Sequence, residues 1–443
     1  MKIQLSEHFT YSKLIRFTVP SVFMMLFTSI YGVVDGLFVS NFVGKTPFAA
    51  INLIMPFLMI FGTVGFMIGT GGSALVAKTM GEGDRKRANR LFSMLVYVSV
   101  VLGVGLSILG IAFLRPISVL LGAEGQMLED CVTYGRIILI SLTAFILQNE
   151  FQSFLITAEK PKLGLAITVA AGVTNMVLDA LFVAVLEWGL VGAALATAIS
   201  QAVGGIVPLV YFLSPNKSLL RLTGFSFDGR ALLKTCTNGA SELMTNLSMS
   251  LVNMLYNFQL MEYAGENGIA AYGVIMYIGF IFVAVFIGYS IGAAPIVGYH
   301  FGAGNREELK NLFRKSLVIL AVCSLSMTLL SEVLALPLSR IFVGYDEELM
   351  YLTARGFMLY SLCFLVLGFN IYASSFFTAL NDGLVSGMLS FLRTLLFQIA
   401  TILVMPMLWE LDGVWLAIVG SELMALGVTV YCFARYRGKY HYM

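Results

Sequence analysis

Two aspartates and an asparagine stand where a membrane-embedded chain should be apolar. Asn175 and Asp179 lie in VTNMVLDALFVAVL (173–186), and Asp35 lies between two glycines in IYGVVDGLFV. An ionised carboxylate at a bilayer centre costs at least ~2.5 kcal/mol, so such residues are normally kept for a task. Asn175 precedes Asp179 by one helical turn, which puts both on one face. The amide can donate to a carboxylate or complete a cation shell. Two carboxylates in a low-dielectric cavity cannot both ionise cheaply. Such a pair can take up H⁺ on one side of a membrane and release it on the other. It can equally balance a bound Na⁺ or a cationic substrate. A structural hydrogen bond between helices is the alternative.

Four more acids fall inside apolar runs: Glu150, Glu242, Glu332 and Glu422. Glu242, in GASELMTNLS, is a second candidate. Glu150 is another, either facing a cavity with Asn149 and Gln152 or capping a helix interface. Glu332 and Glu422 lie nearer helix ends or lack an evident partner, and read as structural. The five cysteines are scattered without a CxxC pair, as expected of small apolar filler. His8, His300 and His441 are far apart in sequence, and no metal cluster is expected.

The elements that carry these residues are membrane spans. Of 443 residues, 58% are hydrophobic and only 12% charged, against about 25% charged in an ordinary soluble domain; the mean hydropathy is +0.88. The net charge of +2 is too small to imply a nucleic-acid partner. The first apolar run, to about Val43, is too long for a signal peptide. At roughly 20 apolar residues per crossing, twelve spans emerge: 14–40, 47–77, 91–114, 128–158, 162–186, 189–213, 231–261, 267–299, 312–341, 348–379, 383–409 and 412–435. Pro20, Pro56, Pro208, Pro295 and Pro406 fall inside them or at their ends, tolerated because neighbouring helices re-satisfy the freed carbonyls.

Most of the 27 basic residues gather on one side. They include Lys2, Lys13 and Arg16 before or at the first span, Arg85, Lys86, Arg87 and Arg90 after the second, Lys217 and Arg221 in the middle, and Arg435, Arg437 and Lys439 at the end. Glu124, Glu187, Glu262, Asp346 and Glu410 mark the opposite loops. The positive-inside rule then places both termini in the cytoplasm.

The chain also repeats itself. GEGDRKRANRLF begins at Gly81 and GAGNREELKNLF at Gly302, an offset of 221 that also relates Pro116 to Pro337, Gly135 to Gly356 and Thr157 to Thr378. The expected organisation is an N-terminal six-helix lobe (1–213), a polar cytoplasmic linker (214–230) and a C-terminal lobe (231–443). Six is even, so the repeats are parallel, the layout in which substrate binds near the midplane between halves that rock against each other. Asp35 corresponds to Tyr256 under the offset, so the cation chemistry is expected in the first half. The Gly-rich turns lack the Gly-Lys-Ser/Thr ending of a phosphate loop and follow helices, not strands. The 23 methionines, many in the spans, suit a surface that re-packs around varied ligands as well as ordinary core filling.

With the first helix reading FTVPSVFMMLFTSIYGVVDGLFVSNFVG and the turns AKTMGEGDRKRANR and GYHFGAGNREELK following the second and eighth, the chain resembles the MATE family of multidrug and toxic compound extrusion transporters, nearest its MepA-like and DinF-like branch. That resemblance implies an all-α polytopic membrane protein whose twelve helices form a V-shaped pair of lobes. It implies a proton- or sodium-linked site at Asp35, Asn175 and Asp179, with Tyr31, Tyr134, Asn149 and Thr197 as supporting polar residues. It further implies an antiporter, not an enzyme, that exports lipophilic and often cationic drugs, with H⁺ favoured over Na⁺ as coupling ion, no other cofactor, lipids around a monomer, and a place in the cell's inner membrane. Some members carry a sodium site in the second half, with a Glu on the seventh helix and an Asp on the tenth. Here Glu242 lies early on its helix and the tenth has Asn370 in place of an Asp, so that site is not expected. A lipid-linked oligosaccharide flippase of the wider superfamily is the rival. Its pyrophosphate substrate wants Arg or Lys in the cavity, for which Arg136 and Arg393 are the intramembrane candidates. A membrane-embedded enzyme would need a histidine or metal constellation within the spans, where no histidine is central.

Overall fold

The computed structural model describes residues 3–43, 45–216 and 218–443. Lys2 and Lys217, counted among the basic residues above, lie outside this set. The described chain is helical, without a strand. In order it forms α1 (Tyr11–Phe38), α2 (Lys45–Gly81), α3 (Arg85–Leu120), α4 (Gly125–Ile140), α5 (Leu142–Thr157), α6 (Pro161–Asp179), α7 (Gly189–Leu213), α8 (Gly229–Asn238), α9 (Ala240–Gly302), α10 (Arg306–Val343), α11 (Glu347–Ser361), α12 (Phe364–Ala379), α13 (Gly383–Phe391) and α14 (Phe397–Tyr440). Short π-helical turns follow α1 (Val39–Val43), α6 (Ala180–Val185) and α13 (Leu392–Leu396).

Among the described residues eight helical runs are long and apolar enough to cross a bilayer, and the bent pairs α4–α5 and α11–α12 bring the number to ten. Two of the eight are double. As one straight rod, the 63 residues of α9 would reach about 95 Å, three bilayer thicknesses. The helix instead breaks at Gly265, whose φ of 60° and ψ of −147° only glycine adopts without strain. The run Gly383–Tyr440 breaks likewise at Trp409 and Glu410. Counting both halves of each gives twelve spans. Side chains such as Val101, Ile140 and Ile341 are more than two-thirds exposed, a surface suited to lipid.

The 221-residue offset is visible in three dimensions. Gly83 and Gly304 both take positive φ, at 87° and 66°, and each is followed by a capping residue. The Asp84 carboxylate accepts from the Arg87 amide at 2.9 Å, and the Asn305 amide oxygen accepts from Glu308 at 3.1 Å. The bends between α4 and α5 and between α11 and α12 are also alike, 53° and 51°. Most telling is where the halves touch. Gly81 lies against the Tyr299 carbonyl, and Gly302 against the Lys78 carbonyl. Lys78 and Tyr299 are themselves related by the offset, so the two contacts exchange with each other. Gly71 against Gly239 and Gly292 against Thr18 form a second exchanging pair. This is the reciprocity that a two-fold axis between parallel repeats requires.

These close approaches use the first half of α1, the second half of α2 and the second half of α9, all near the end that carries the basic turns after Gly81 and Gly302. Small residues there let backbones meet directly. The N-terminal segment straps the same end. Leu5 donates its amide to Glu159 of the first half at 2.7 Å. Phe9 donates to Glu308 of the second at 2.9 Å, and Lys315 caps the Phe9 carbonyl at 2.6 Å. His8 joins Glu308 at 2.6 Å.

The seventh span differs from expectation. It does not run unbroken from residue 231. The short helix α8, capped by Asp228 on the Arg230 and Ala231 amides, ends at Gly239, and α9 starts beyond it. Gly239 must stay bare because Met67 of α2 packs on its α-carbon. The linker between the halves packs on the first of them. Its Leu220 is buried, and Thr223 donates its amide to Ser93 of α3 at 2.7 Å.

Candidate functional site: a buried carboxyl pair and a central cavity

Asp35 reaches the interior of the first half because α1 packs tightly on α6. Gly172 of α6 leaves room for the rings of Phe27 and Tyr31, and Tyr31 lies one turn before Asp35 on the same face. Opposite, Asp179 is the last α-helical residue of α6, where the backbone widens into the π-turn and Leu186 donates back to Leu181 at 2.8 Å. Such a widening changes the direction of the side chains around it and recurs at functional sites. The carboxyl groups of Asp35 and Asp179 come within hydrogen-bonding reach of each other, and Asn175 within reach of Asp35.

Asp179 is 0% exposed and Asn175 2%. Both Asp179 oxygens, one Asp35 oxygen and the Asn175 carbonyl are buried without a donor among the described residues. Unmet acceptors in an apolar interior cost about 1–3 kcal/mol each. A proton or a cation relieves them. Tyr134 of α4 is buried close enough to both carboxyls to feel their charge, and Tyr31 lies near Gln148 of α5.

The sequence-derived set thus divides. Asp35, Asn175, Asp179, Tyr31 and Tyr134 converge. Asn149, next to Gln148 on α5, is buried with its amide nitrogen unpartnered, and Thr197 is half-buried on α7. Glu150 does not face the cavity: it is wholly buried and turned toward Ser99 of α3. Among the described residues no three His, Cys, Asp or Glu gather as a metal cluster.

A separate cavity of about 240 Å³ opens between the halves. Thr70 and Ser73 of α2 and Ser153 of α5 line one side, and the second half lines the rest, with Glu242, Arg393 and Glu422 as its charged groups. Glu422 corrects the sequence reading most. It is neither unpartnered nor peripheral. The Asn370 amide of α12 donates to its carboxylate at 2.7 Å and to its backbone carbonyl at 2.9 Å, and Arg393 stands 3.7 Å from it. Thr429 in turn holds Asn370 at 2.9 Å. Glu332, also set aside, accepts from Ser361 at 3.1 Å. The missed signal was a matched depth: Arg393 and Glu422 lie at similar distances on either side of the break at Trp409, so adjacent antiparallel spans bring them level.

Fold and site together define a polytopic helical membrane protein built from two parallel repeats, with buried acids in one half and a polar cavity between the halves. The sequence profile of the MatE family matches residues 20–181 and again 243–404, and the chain belongs to that family. It is 25% identical to the multidrug export protein MepA of Staphylococcus haemolyticus (strain JCSC1435), over 71% of this chain and 70% of the relative. Two solved structures share the fold at 23% identity and a TM-score of 0.91. One is MATE in complex with MaL6, covering 97% of both chains. The other is the outward-facing conformation of a multidrug resistance MATE family transporter of the MOP superfamily, covering 97% of this chain and 96% of that one.

Proposed function

We propose that this chain is a cation-coupled antiporter, driven by H⁺ in preference to Na⁺, that exports lipophilic and often cationic compounds by alternating access between its lobes. One observation carries the reading: four oxygens of Asp35, Asn175 and Asp179 are buried without a donor among the described residues. A bound proton or cation satisfies them, and its departure restores the conflict, so ion occupancy has a free-energy difference with which to bias two conformations. The halves meet at the end bearing the basic turns, which the positive-inside rule assigns to the cytoplasm together with both termini. The conformation described here is then closed on the cytoplasmic side. Relatives named for multidrug export support the substrate class. We read the protein as a monomer in the cell's inner membrane.

The flippase reading is favoured by one observation, the placement of Arg393 in the cavity. It is outweighed because Glu242 and Glu422 share that cavity, and a pyrophosphate would meet two carboxylates for one guanidinium. Cells expressing the chain should accumulate less of a lipophilic cationic dye than matched cells without it. Equal accumulation contradicts the export reading.

A further inference from the structure

A groove of about 260 Å³ lies in the second half and shares no lining residue with the cavity between the halves. Phe313 and Leu317 of α10, Phe369 of α12, and Leu426, Val430 and Phe433 of α14 form its walls. Thr429, also in the wall, gives its hydroxyl proton to Asn370 at 2.9 Å, so the groove offers a guest hydrocarbon along its length. Val430 is 58% exposed, which opens the groove outward, to the bilayer. Lys439 of α14 pairs with Asp382, just past α12, at 3.0 Å and sets these helices level. Phe369 and Leu426, each thirteen residues from that pair in sequence, therefore lie at one depth.

Arg437 lines the opposite end of the groove, and its side chain is exposed. From Arg437 to Leu426, α14 rises about 16 Å, the depth of one leaflet of a ~30 Å hydrocarbon core. The Phe313 ring meets the Phe433 ring edge-on at 4.9 Å. This contact brings a basic stripe of α10 alongside Arg437, because Lys310 and Arg314 share a helix face with Phe313 and Leu317. Lys310, Arg314 and Arg437 have no ion-pair partner among the described residues. Glu307, one turn outward on the same stripe, sets one acid against three cations.

We propose that this groove binds one anionic phospholipid of the cytoplasmic leaflet, with an acyl chain along α14 and the phosphate on Arg437, flanked by Lys310 and Arg314. The length of the groove fits the chain of a single leaflet, and its one basic end fits the headgroup. A zwitterionic headgroup would bring an ammonium among three cations, and a plain apolar guest would leave those cations without a counter-ion. A guanidinium can hold two phosphate oxygens at once. The site is reached from the bilayer and does not depend on the export reading.

The test places the purified full-length chain in phosphatidylcholine vesicles holding a trace of photoactivatable lipid, with a diazirine at the end of one acyl chain. The probe is phosphatidylglycerol in one sample and phosphatidylcholine in the other, and labelled peptides are mapped by mass. At Leu426–Val430 and Phe369 the phosphatidylglycerol probe should label about tenfold more than the phosphatidylcholine probe. At Val101 and Ile341, which are also exposed, the two should label alike. Arg437→Gln should cut the ratio at the groove about fivefold, and Lys310→Gln/Arg314→Gln should also lower it; all three side chains stand outside the core, so these variants should fold. Leu317→Trp, which fills the groove, should remove labelling there by both probes. A ratio at the groove equal to that at Val101 and Ile341 means ordinary lipid contact and overturns the proposal. So does a ratio that survives both charge variants, or a wild-type groove that neither probe labels because another copy of the chain covers it.

Discussion

Asp35 of α1 and Asp179 of α6 hold their carboxyl groups within hydrogen-bonding reach of each other, and three of their four oxygens are buried without a donor among the described residues. Such a pair is unstable as it stands and stable once a proton or cation joins it. Asp179→Asn supplies an amide donor in place of the proton, mimicking permanent occupancy. The variant should insert and fold at wild-type levels, with thermal stability equal or higher by about 1 kcal/mol, while coupled dye efflux falls at least tenfold. Membrane abundance, melting temperature and efflux check the three parts. Efflux at the wild-type rate removes Asp179 from the coupling site.

The reciprocal glycine contacts predict how the closed end can be forced apart. A Cβ at Gly302 would run into the Lys78 carbonyl, and one at Gly81 into that of Tyr299; neither obstacle is a flexible side chain. Gly302→Val should destabilise this end by about 1–3 kcal/mol and raise hydrogen–deuterium exchange at the ends of α2 and α9. Unchanged exchange there contradicts the close packing.

Glu308 fastens the N-terminal strap, accepting from the Phe9 amide at 2.9 Å and pairing with His8 and Asn311 at 2.6 and 2.7 Å. Hydrogen bonds to a buried charge are worth about 1.5–3 kcal/mol. Glu308→Ala should therefore free the segment, and trypsin should cut after Lys13 about tenfold faster than in the wild type. An unchanged cutting rate shows that the Glu308 bonds are not what holds the strap.

Asp382 adds a pH-dependent clamp at the start of α13. Burial works against its charged form, but hydrogen bonds from Tyr440, Lys439 and the Val385 amide outweigh this and hold the carboxyl below its ordinary value of 3.8. A lowered folded-state value means that the unfolded chain binds the proton more readily. The stabilisation is therefore complete above the ordinary value and disappears as pH falls through the folded one. Asp382→Asn should lose about 1 kcal/mol at neutral pH, with the difference from wild type closing under strong acid. A difference that persists there would assign the effect to packing.

The spans were legible in the sequence because bilayer thickness fixes their length and apolar runs mark them; even the breaks at Gly265 and Glu410 fell between expected helices. The repeat was legible because Gly83 and Gly304 need positive φ, which preserved their surroundings through divergence. Asp35, Asn175 and Asp179 stood out because polar residues in lipid are costly. The rest depended on rotation about helix axes, which hydropathy does not encode. Glu150 turned toward α3, Glu422 turned toward Asn370 and Arg393, and the π-turns beside Asp179 and Arg393 have no residue signature of their own. Gly239 broke the seventh span for a reason that lies on another helix, the backbone of α2 at Met67.

The central claim is that the Asp35–Asp179 pair couples ion entry to export. The most direct measurement is efflux of a lipophilic cationic dye from vesicles containing the purified chain, with a pH gradient or a Na⁺ gradient imposed separately, for wild type and Asp179→Asn. The account predicts that the pH gradient alone drives efflux and that Asp179→Asn stops it. Efflux that continues in Asp179→Asn, or that neither gradient drives in the wild type, contradicts it.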